Sequence, residues 1–410
     1  MKQPLSKRVS LLQESATIAM ARLSRELQEQ GHDIISLSLG EPDFTTPADI
    51  CDAAKLAMDQ GYTHYPPISG FADLRKAISQ KLKRENGLDY QADQIVVSTG
   101  AKQSIANVVF SLIDPGDEVI IPAPYWVSYA QIIELAGGKP VILPTGIEND
   151  FKVKPAEVEA AITPRTRLFI FSSPCNPTGT MYAREELGAL AAMFEHHPGV
   201  WIMSDEIYEH IRFDGDHESI AQFDSVRDRV IIVNGVSKGY AMTGWRIGYI
   251  AAPKELAQAC DKVQGQFTSG ANSIAQKAAL KAVSTDWSTY AYMRDSFLRR
   301  RDLVLGLMRD IPGWKFNIPK GAFYIFPDVR AFFGRSDGET TIRNATDLCM
   351  YLLRDAKVSV VTGEAFGDNN CIRLSFATSD ELLIEAMRRI KESLGKLRQP
   401  SDKGQLATAD

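Results

Sequence analysis

Val230-Ile231-Ile232-Val233-Asn234-Gly235-Val236-Ser237-Lys238-Gly239 decides the fold. Four successive β-branched apolar residues do not alternate with polar ones, so this run suits a strand covered on both faces, and Asn-Gly then breaks it into a turn. Upstream, Ile95-Val96-Val97, Val119-Ile120-Ile121, Leu168-Phe169-Ile170-Phe171 and Trp201-Ile202-Met203 repeat the arrangement, and Ile247-Gly248-Tyr249-Ile250 follows it. Helical patterns separate these runs. The alternation predicts an α/β fold, a mostly parallel sheet with helices on both faces. After Asp286 a long helix is expected, with Met293, Phe297, Val304 and Met308 at helical spacing, and the later strands are fewer and shorter. A second, smaller α+β domain fits that change. Arg299, Arg300 and Arg301 on this helix read as its solvated side.

The 410 residues are enough for two domains sharing a cleft. Lys and Arg total 46 against 51 for Asp and Glu, a net charge of −5, so no global positive field exists to hold nucleic acid or an anionic membrane. Cysteines at 51, 175, 260, 349 and 371 form neither a C-x-x-C pair nor a cluster. They read as reduced thiols, with no metal site expected. No apolar run reaches the roughly 18 residues of a membrane span, and the first residues lack a secretory pattern. Lys7, Arg8 and Arg22 hint at an organellar presequence, but Glu14 and Glu26 do not suit one. A cytoplasmic location is expected, with an N-terminal arm over 1–14 and a disordered tail over 398–410, polar and without aromatics from Gln399 onward.

Open α/β sheets bind ligands beyond the carboxyl ends of their strands, so the residues following each run carry the information. Thr99-Gly100-Ala101-Lys102 leads from strand to helix, where free amides make a phosphate seat; simple helix capping is the alternative. Pro122-Ala123-Pro124-Tyr125-Trp126 fixes a large ring in an extended loop, either as a stacking plate or as core filler. Ser173-Pro174-Cys175-Asn176-Pro177-Thr178-Gly179 is a rigid turn bearing an amide, or turn punctuation alone. Asp205 ends an apolar strand, where an ionised carboxylate is costly without a cation; it too suits a helix cap. Lys238 stands between a buried strand and a small, Gly-rich, largely apolar stretch, surroundings that lower an amine's pKa and favour its use as a nucleophile.

Together these five supply what pyridoxal phosphate chemistry requires: a lysine for the imine link, an anion beside the pyridine nitrogen, phosphate donors and an aromatic plate. A protonated ring nitrogen also resolves the cost of Asp205, since an ion pair at about 4 Å is worth about 4 kcal/mol at an effective dielectric of about 20.

Ser237 to Tyr249 resembles the cofactor-lysine signature of the class I aminotransferases, fold type I of the pyridoxal phosphate enzymes. Leu39-Gly40-Glu41-Pro42-Asp43-Phe44, Gly100-Ala101-Lys102-Gln103, Pro124-Tyr125-Trp126-Val127-Ser128-Tyr129, Asn176-Pro177-Thr178-Gly179, Asp205-Glu206-Ile207-Tyr208, Gly321-Ala322-Phe323-Tyr324 and Ile372-Arg373-Leu374-Ser375-Phe376-Ala377 follow the family's order across nearly the whole chain. The resemblance implies a seven-stranded sheet in a large cofactor-binding domain over 48–290, and a small domain from 15–47 and 291–397. It implies that Lys238 binds the cofactor and then moves the substrate proton, that Asp205 pairs with the pyridine nitrogen, and that Asn176 and Tyr208 bond the ring's phenolic oxygen. Trp126 would stack on the ring. Gly100, Ala101, Lys102, Ser237 and Arg246 would hold the phosphate, joined by Tyr65 from the neighbouring subunit of a homodimer. Gly40, Trp126, Asn176 and Arg373 would bind substrate, with Arg373 clamping the α-carboxylate.

Met242-Thr243-Gly244-Trp245-Arg246, with the Pro124 to Tyr129 segment, is most similar to the bacterial-type aspartate aminotransferase branch. L-Aspartate and 2-oxoglutarate are therefore the leading pair, in a ping-pong transamination. Gln13-Glu14-Ser15-Ala16-Thr17 departs from the branch's K-P-S-A-T, in a region that can contact the substrate side chain, and Thr268-Ser269-Gly270 lacks a proline common in that branch. Aromatic amino acids, prephenate or alanine are the alternatives. A lyase acting at Cβ, sharing the same cofactor shell, is the more remote one, and a binding protein without turnover a third.

Overall fold

The computed structural model describes residues 6–12 and 14–399. Twelve strands occur among them, beginning with the short β1 (Ile35–Ser36). The large sheet comprises β2 (Ile95–Ser98), β3 (Glu118–Ala123), β4 (Lys139–Pro144), β5 (Thr166–Ser172), β6 (Trp201–Asp205), β7 (Val230–Gly235) and β8 (Gly248–Ala251). Their order is β2-β8-β7-β6-β5-β3-β4, and β8 alone runs against the rest. All six apolar runs are strands. The seventh, β4, lies at the edge, half-buried and carrying Pro140 and Pro144. Proline is tolerated on an edge strand and hides it from a search for β-branched runs.

Alternation along each strand builds the layers. Ile120, Phe169, Ile202 and Ile232 pack on one side with helices Ala72–Asn86, Arg184–Glu195 and Ser273–Ser284. Their neighbours Val119, Leu168, Met203 and Ile231 point to the other, under helices Ala101–Leu112, Ser128–Leu135 and Lys254–Phe267. Two covered faces explain the unbroken apolar runs.

A separate core joins Ile35 and Leu37 to residues from Phe297 to Leu397. Here β9 (Tyr324–Ile325), β11 (Val361–Thr362) and β12 (Ile372–Ser375) form an antiparallel sheet in the order β11-β12-β9, while β1 pairs in parallel with β10 (Val358–Ser359). The long helix runs from Ala291 to Met308, with Met293, Phe297, Val304 and Met308 buried. We propose the domain division 48–290 against 15–47 plus 291–397 on these two cores. Arg398 bridges to Ser336, and the remainder of the expected tail, from 400, lies outside the described residues, as do 1–5 of the arm.

The arginine run departs from expectation. Arg299 is exposed, but Arg300 is buried and grips Asp43 through two hydrogen bonds of 2.7 and 2.8 Å. Arg301 is also mostly covered, bonding Asp302 and the Pro319 carbonyl. Helical position alone did not mark which arginine faces inward.

Candidate active site

Six strands of the large sheet end at one edge, and β8 starts there, with Gly248 opposite both Ser98 and Gly235. A cavity of about 310 Å³ opens at this edge, between the sheet and the smaller core. Ala101, Lys102, Trp126, Asn176, Asp205, Tyr208, Ser237, Lys238 and Arg246 line it from the large sheet, with Gly40 and Arg373 opposite.

Lys238 follows β7 and is half-buried; its Nζ donates to the Gly40 carbonyl at 2.5 Å. Burial lowers its pKa to about 8, opposed by Glu41 and assisted by Arg373 and Arg246. Near neutrality such an amine keeps a far larger free-base fraction than an ordinary lysine, which suits it to attack an aldehyde.

Asp205 ends β6, which has neighbours on both sides in the sheet, so the carboxylate is 5 % exposed. Tyr129 donates to Oδ2 at 2.7 Å and the Ile207 amide to Oδ1 at 3.3 Å. The second contact is a local turn bond, and no helix begins directly after β6 among the described residues for Asp205 to cap. That contact leaves the charge unpaired: burial pushes Asp205 up to about 6. A cation inside the cavity would resolve this.

Gly100 precedes helix Ala101–Leu112 with φ +82°, a left-handed conformation that favours glycine, and a Cβ there would run into the Arg246 guanidinium. No side chain among the described residues caps this helix, so the Ala101 and Lys102 amides remain open to an anion, beside Arg246, whose Nη1 donates to the Thr243 carbonyl at 3.0 Å. The buried Ser237 lines the same wall.

Trp126 lines the cavity, edge-on to Tyr129 at 5.5 Å and 78°. Tyr208 shares a 2.8 Å hydrogen bond with Tyr324, and both phenols are buried. Arg373, on β12 and 2 % exposed, donates from Nη1 to Asn176 Oδ1 at 2.9 Å and from Nη2 to the Ser38 carbonyl at 2.6 Å. Its Nε has no hydrogen-bond partner among the described residues. The rings of Tyr324 and Phe366 flank the guanidinium at 4.5 and 4.9 Å. Such a held, partly unsatisfied fork is built to receive a carboxylate. Gly40 is required because a side chain there would strike the Tyr324 hydroxyl.

Tyr65 stands apart: it is 98 % exposed and outside this cavity. Conversely, Ser15, Thr17, Ile18, Glu41, Tyr129 and Tyr324 line it without having been assigned a role. Ser15 and Thr17 belong to the segment read as able to contact a substrate side chain; Gln13, which stands where the branch has its lysine, lies outside the described positions. Tyr129 and Tyr324 sat inside recognisable segments, but nothing local distinguishes them from core tyrosines. The Lys102 ammonium, considered only through its backbone, reaches over the Trp126 ring at 4.9 Å.

The residue set fits pyridoxal phosphate on this geometry: a low-pKa amine, an uncompensated buried carboxylate, an open helix start and an aromatic plate share one cavity. Comparisons agree. Residues 32–390 match the family Aminotransferase class I and II. The aspartate/prephenate aminotransferase of Cereibacter sphaeroides is 48 % identical over 390 residues, 94 % of this chain and 98 % of that one. The crystal structure of the Rhizobium meliloti aspartate aminotransferase superposes with a TM-score of 0.93 at 42 % identity, covering 97 % of this chain and all of the other. The Thermus thermophilus aspartate aminotransferase with maleate gives 0.90 at 39 % identity, over 95 % of this chain and all of that one. The chain belongs to the class I and II aminotransferases and is a fold type I transaminating enzyme.

Proposed function

We propose that the chain transfers the amino group of L-aspartate to 2-oxoglutarate, using pyridoxal phosphate held at Lys238. One observation carries this reading: Lys238, Asp205 and Arg373, from separate elements, face the same cavity. Pyridoxal phosphate, when bound, supplies a cationic ring that accepts the electron pair left on the substrate α-carbon. Asp205 holds the positive charge at the ring nitrogen. Trp126 covers the ring face, while Tyr208 and the amide of Asn176, whose oxygen already serves Arg373, bond the phenolic oxygen. The amides of Gly100, Ala101 and Lys102, the Ser237 hydroxyl and Arg246 hold the phosphate.

Arg373 and the Gly40 amide orient the substrate α-carboxylate, which places the Cα–H beside the Lys238 amine. Lys238, released by the incoming amino group, would take that proton from Cα and deliver it to the cofactor carbon C4′, acting as base and acid in turn. Two features support a dicarboxylic substrate. The Lys102 ammonium has no carboxylate in ion-pair contact among the described residues and offers a second cation, and the Thermus thermophilus relative holds maleate, itself a dicarboxylate. Prephenate is the second reading, supported by the name of the Cereibacter sphaeroides relative.

Tyr65, exposed and outside its own cavity, suits the phosphate site of a second copy, and a homodimer in the cytoplasm completes the proposal. No helix among the described residues is long and apolar enough to cross a membrane. The test mixes purified protein with aspartate, aromatic amino acids or alanine and 2-oxoglutarate, and glutamate with prephenate. Glutamate formation fastest with aspartate supports the reading; ammonia and pyruvate without an acceptor would mark a lyase instead.

A further inference from the structure

Tyr129 is 1 % exposed on the first turn of helix Ser128–Leu135 and touches both groups assigned to the cofactor ring. Its hydroxyl donates to Asp205 Oδ2 at 2.7 Å, and its ring meets Trp126 edge-on at 5.5 Å. The helix follows directly on the loop that carries Trp126, so plate and phenol sit on one continuous segment three residues apart. Burial and the neighbouring Asp205 hold the Tyr129 proton far above the ordinary phenol range, so the phenol is a fixed donor rather than a proton shuttle.

The titratable groups facing the Asp205 carboxylate are Glu206 beside it on the chain, Lys238 from the loop after β7, and Tyr208 and Cys175 from adjoining turns. Of all these only Tyr129 gives it a side-chain hydrogen bond among the described residues. The Ile207 amide contact, at 3.3 Å, is longer and local.

We infer that Tyr129 is a positioning residue for the cofactor: it holds the Asp205 carboxylate ionised and oriented through Oδ2, and sets the tilt of the Trp126 plate. The inference rests on the cofactor reading of Lys238 and Asp205. Tyr129→Phe preserves the ring and deletes one hydroxyl, leaving a desolvated oxygen on Asp205 without its donor. Because a hydrogen bond to a charged group is lost, the cofactor dissociation constant of the apoprotein should rise about tenfold or more. A ring that holds its nitrogen proton less firmly withdraws less charge from the lysine nitrogen. The pH at which the visible band of the bound cofactor changes should therefore move upward, while kcat falls and KM for aspartate stays within about twofold.

The decisive comparison adds Tyr129→Phe to Asp205→Asn. If Tyr129 acts through the carboxylate, the double variant binds cofactor as Asp205→Asn does. An unaltered cofactor affinity and absorbance titration in Tyr129→Phe, or a full additional loss in the Asp205→Asn background, would overturn the inference. Borohydride labelling at Lys238 separates the two levels. A labelled wild type beside an unaltered Tyr129→Phe overturns the role of Tyr129 alone, whereas an unlabelled wild type overturns the cofactor reading with it.

Discussion

Arg373 Nη1 donates to Asn176 Oδ1 at 2.9 Å and so ties β12 of the small sheet to the turn after β5 of the large one. The same bond aims the guanidinium into the cavity and turns the Asn176 amide nitrogen outward as a donor. Arg373→Lys keeps the charge but loses the fork and this tie. KM for aspartate should rise about ten- to a hundredfold with cofactor affinity nearly unchanged, as the loss of a charged, bidentate contact implies. Steady-state kinetics and cofactor titration of the variant check it.

Behind the site, Lys81 and Glu209 form a buried ion pair, 1 % and 3 % exposed. Glu209 also accepts from Asn86 at 2.9 Å and from Asn234 of β7 at 2.7 Å. Lys81→Met would leave a buried, uncompensated carboxylate and should cost about 3–5 kcal/mol of stability. Denaturant unfolding of Lys81→Met against wild type measures this, and the double variant Lys81→Met with Glu209→Gln should recover part of the loss.

Asp205 titrates near 6 in the folded chain without cofactor, against an ordinary 3.8. Between these values the folded state binds more protons than the unfolded one, so stability falls as pH rises through that window. The protonated folded form is the favoured one below it, and the penalty is complete above about pH 6. Asp205→Asn apoprotein should lack this component, on the order of 3 kcal/mol for a shift of about two pH units. Unfolding curves at several pH values decide it.

Gly100 combines a left-handed backbone with contact to Arg246. Gly100→Ala must displace that guanidinium or reshape the helix start. Affinity for pyridoxal phosphate should drop more than affinity for dephosphorylated pyridoxal, because only the former uses the phosphate seat. Parallel binding titrations with the two compounds test the difference.

These assignments differ in how far the linear chain exposes them. Strands covered on both faces announce themselves as unbroken β-branched runs, and Asp205 and Lys238 follow two of them directly, so the cavity's floor is legible from local order. Edge strand β4 is not, because half-burial and two prolines remove the pattern. Arg300 looked solvated because its partner, Asp43, lies 257 residues away, and only the folded chain brings them together. Tyr129 and Tyr324 read as ordinary core aromatics for the same reason: their hydroxyl partners, Asp205 and Tyr208, lie 76 and 116 residues away along the chain.

The proposed reaction stands on the Lys238 amine carrying the cofactor. Reduction of the purified, cofactor-loaded protein with borohydride, followed by peptide mass spectrometry, tests it most directly. One pyridoxyl-phosphate adduct is expected, on Lys238, absent from Lys238→Ala. A principal adduct on another lysine, or none in a protein that still transaminates, would contradict it.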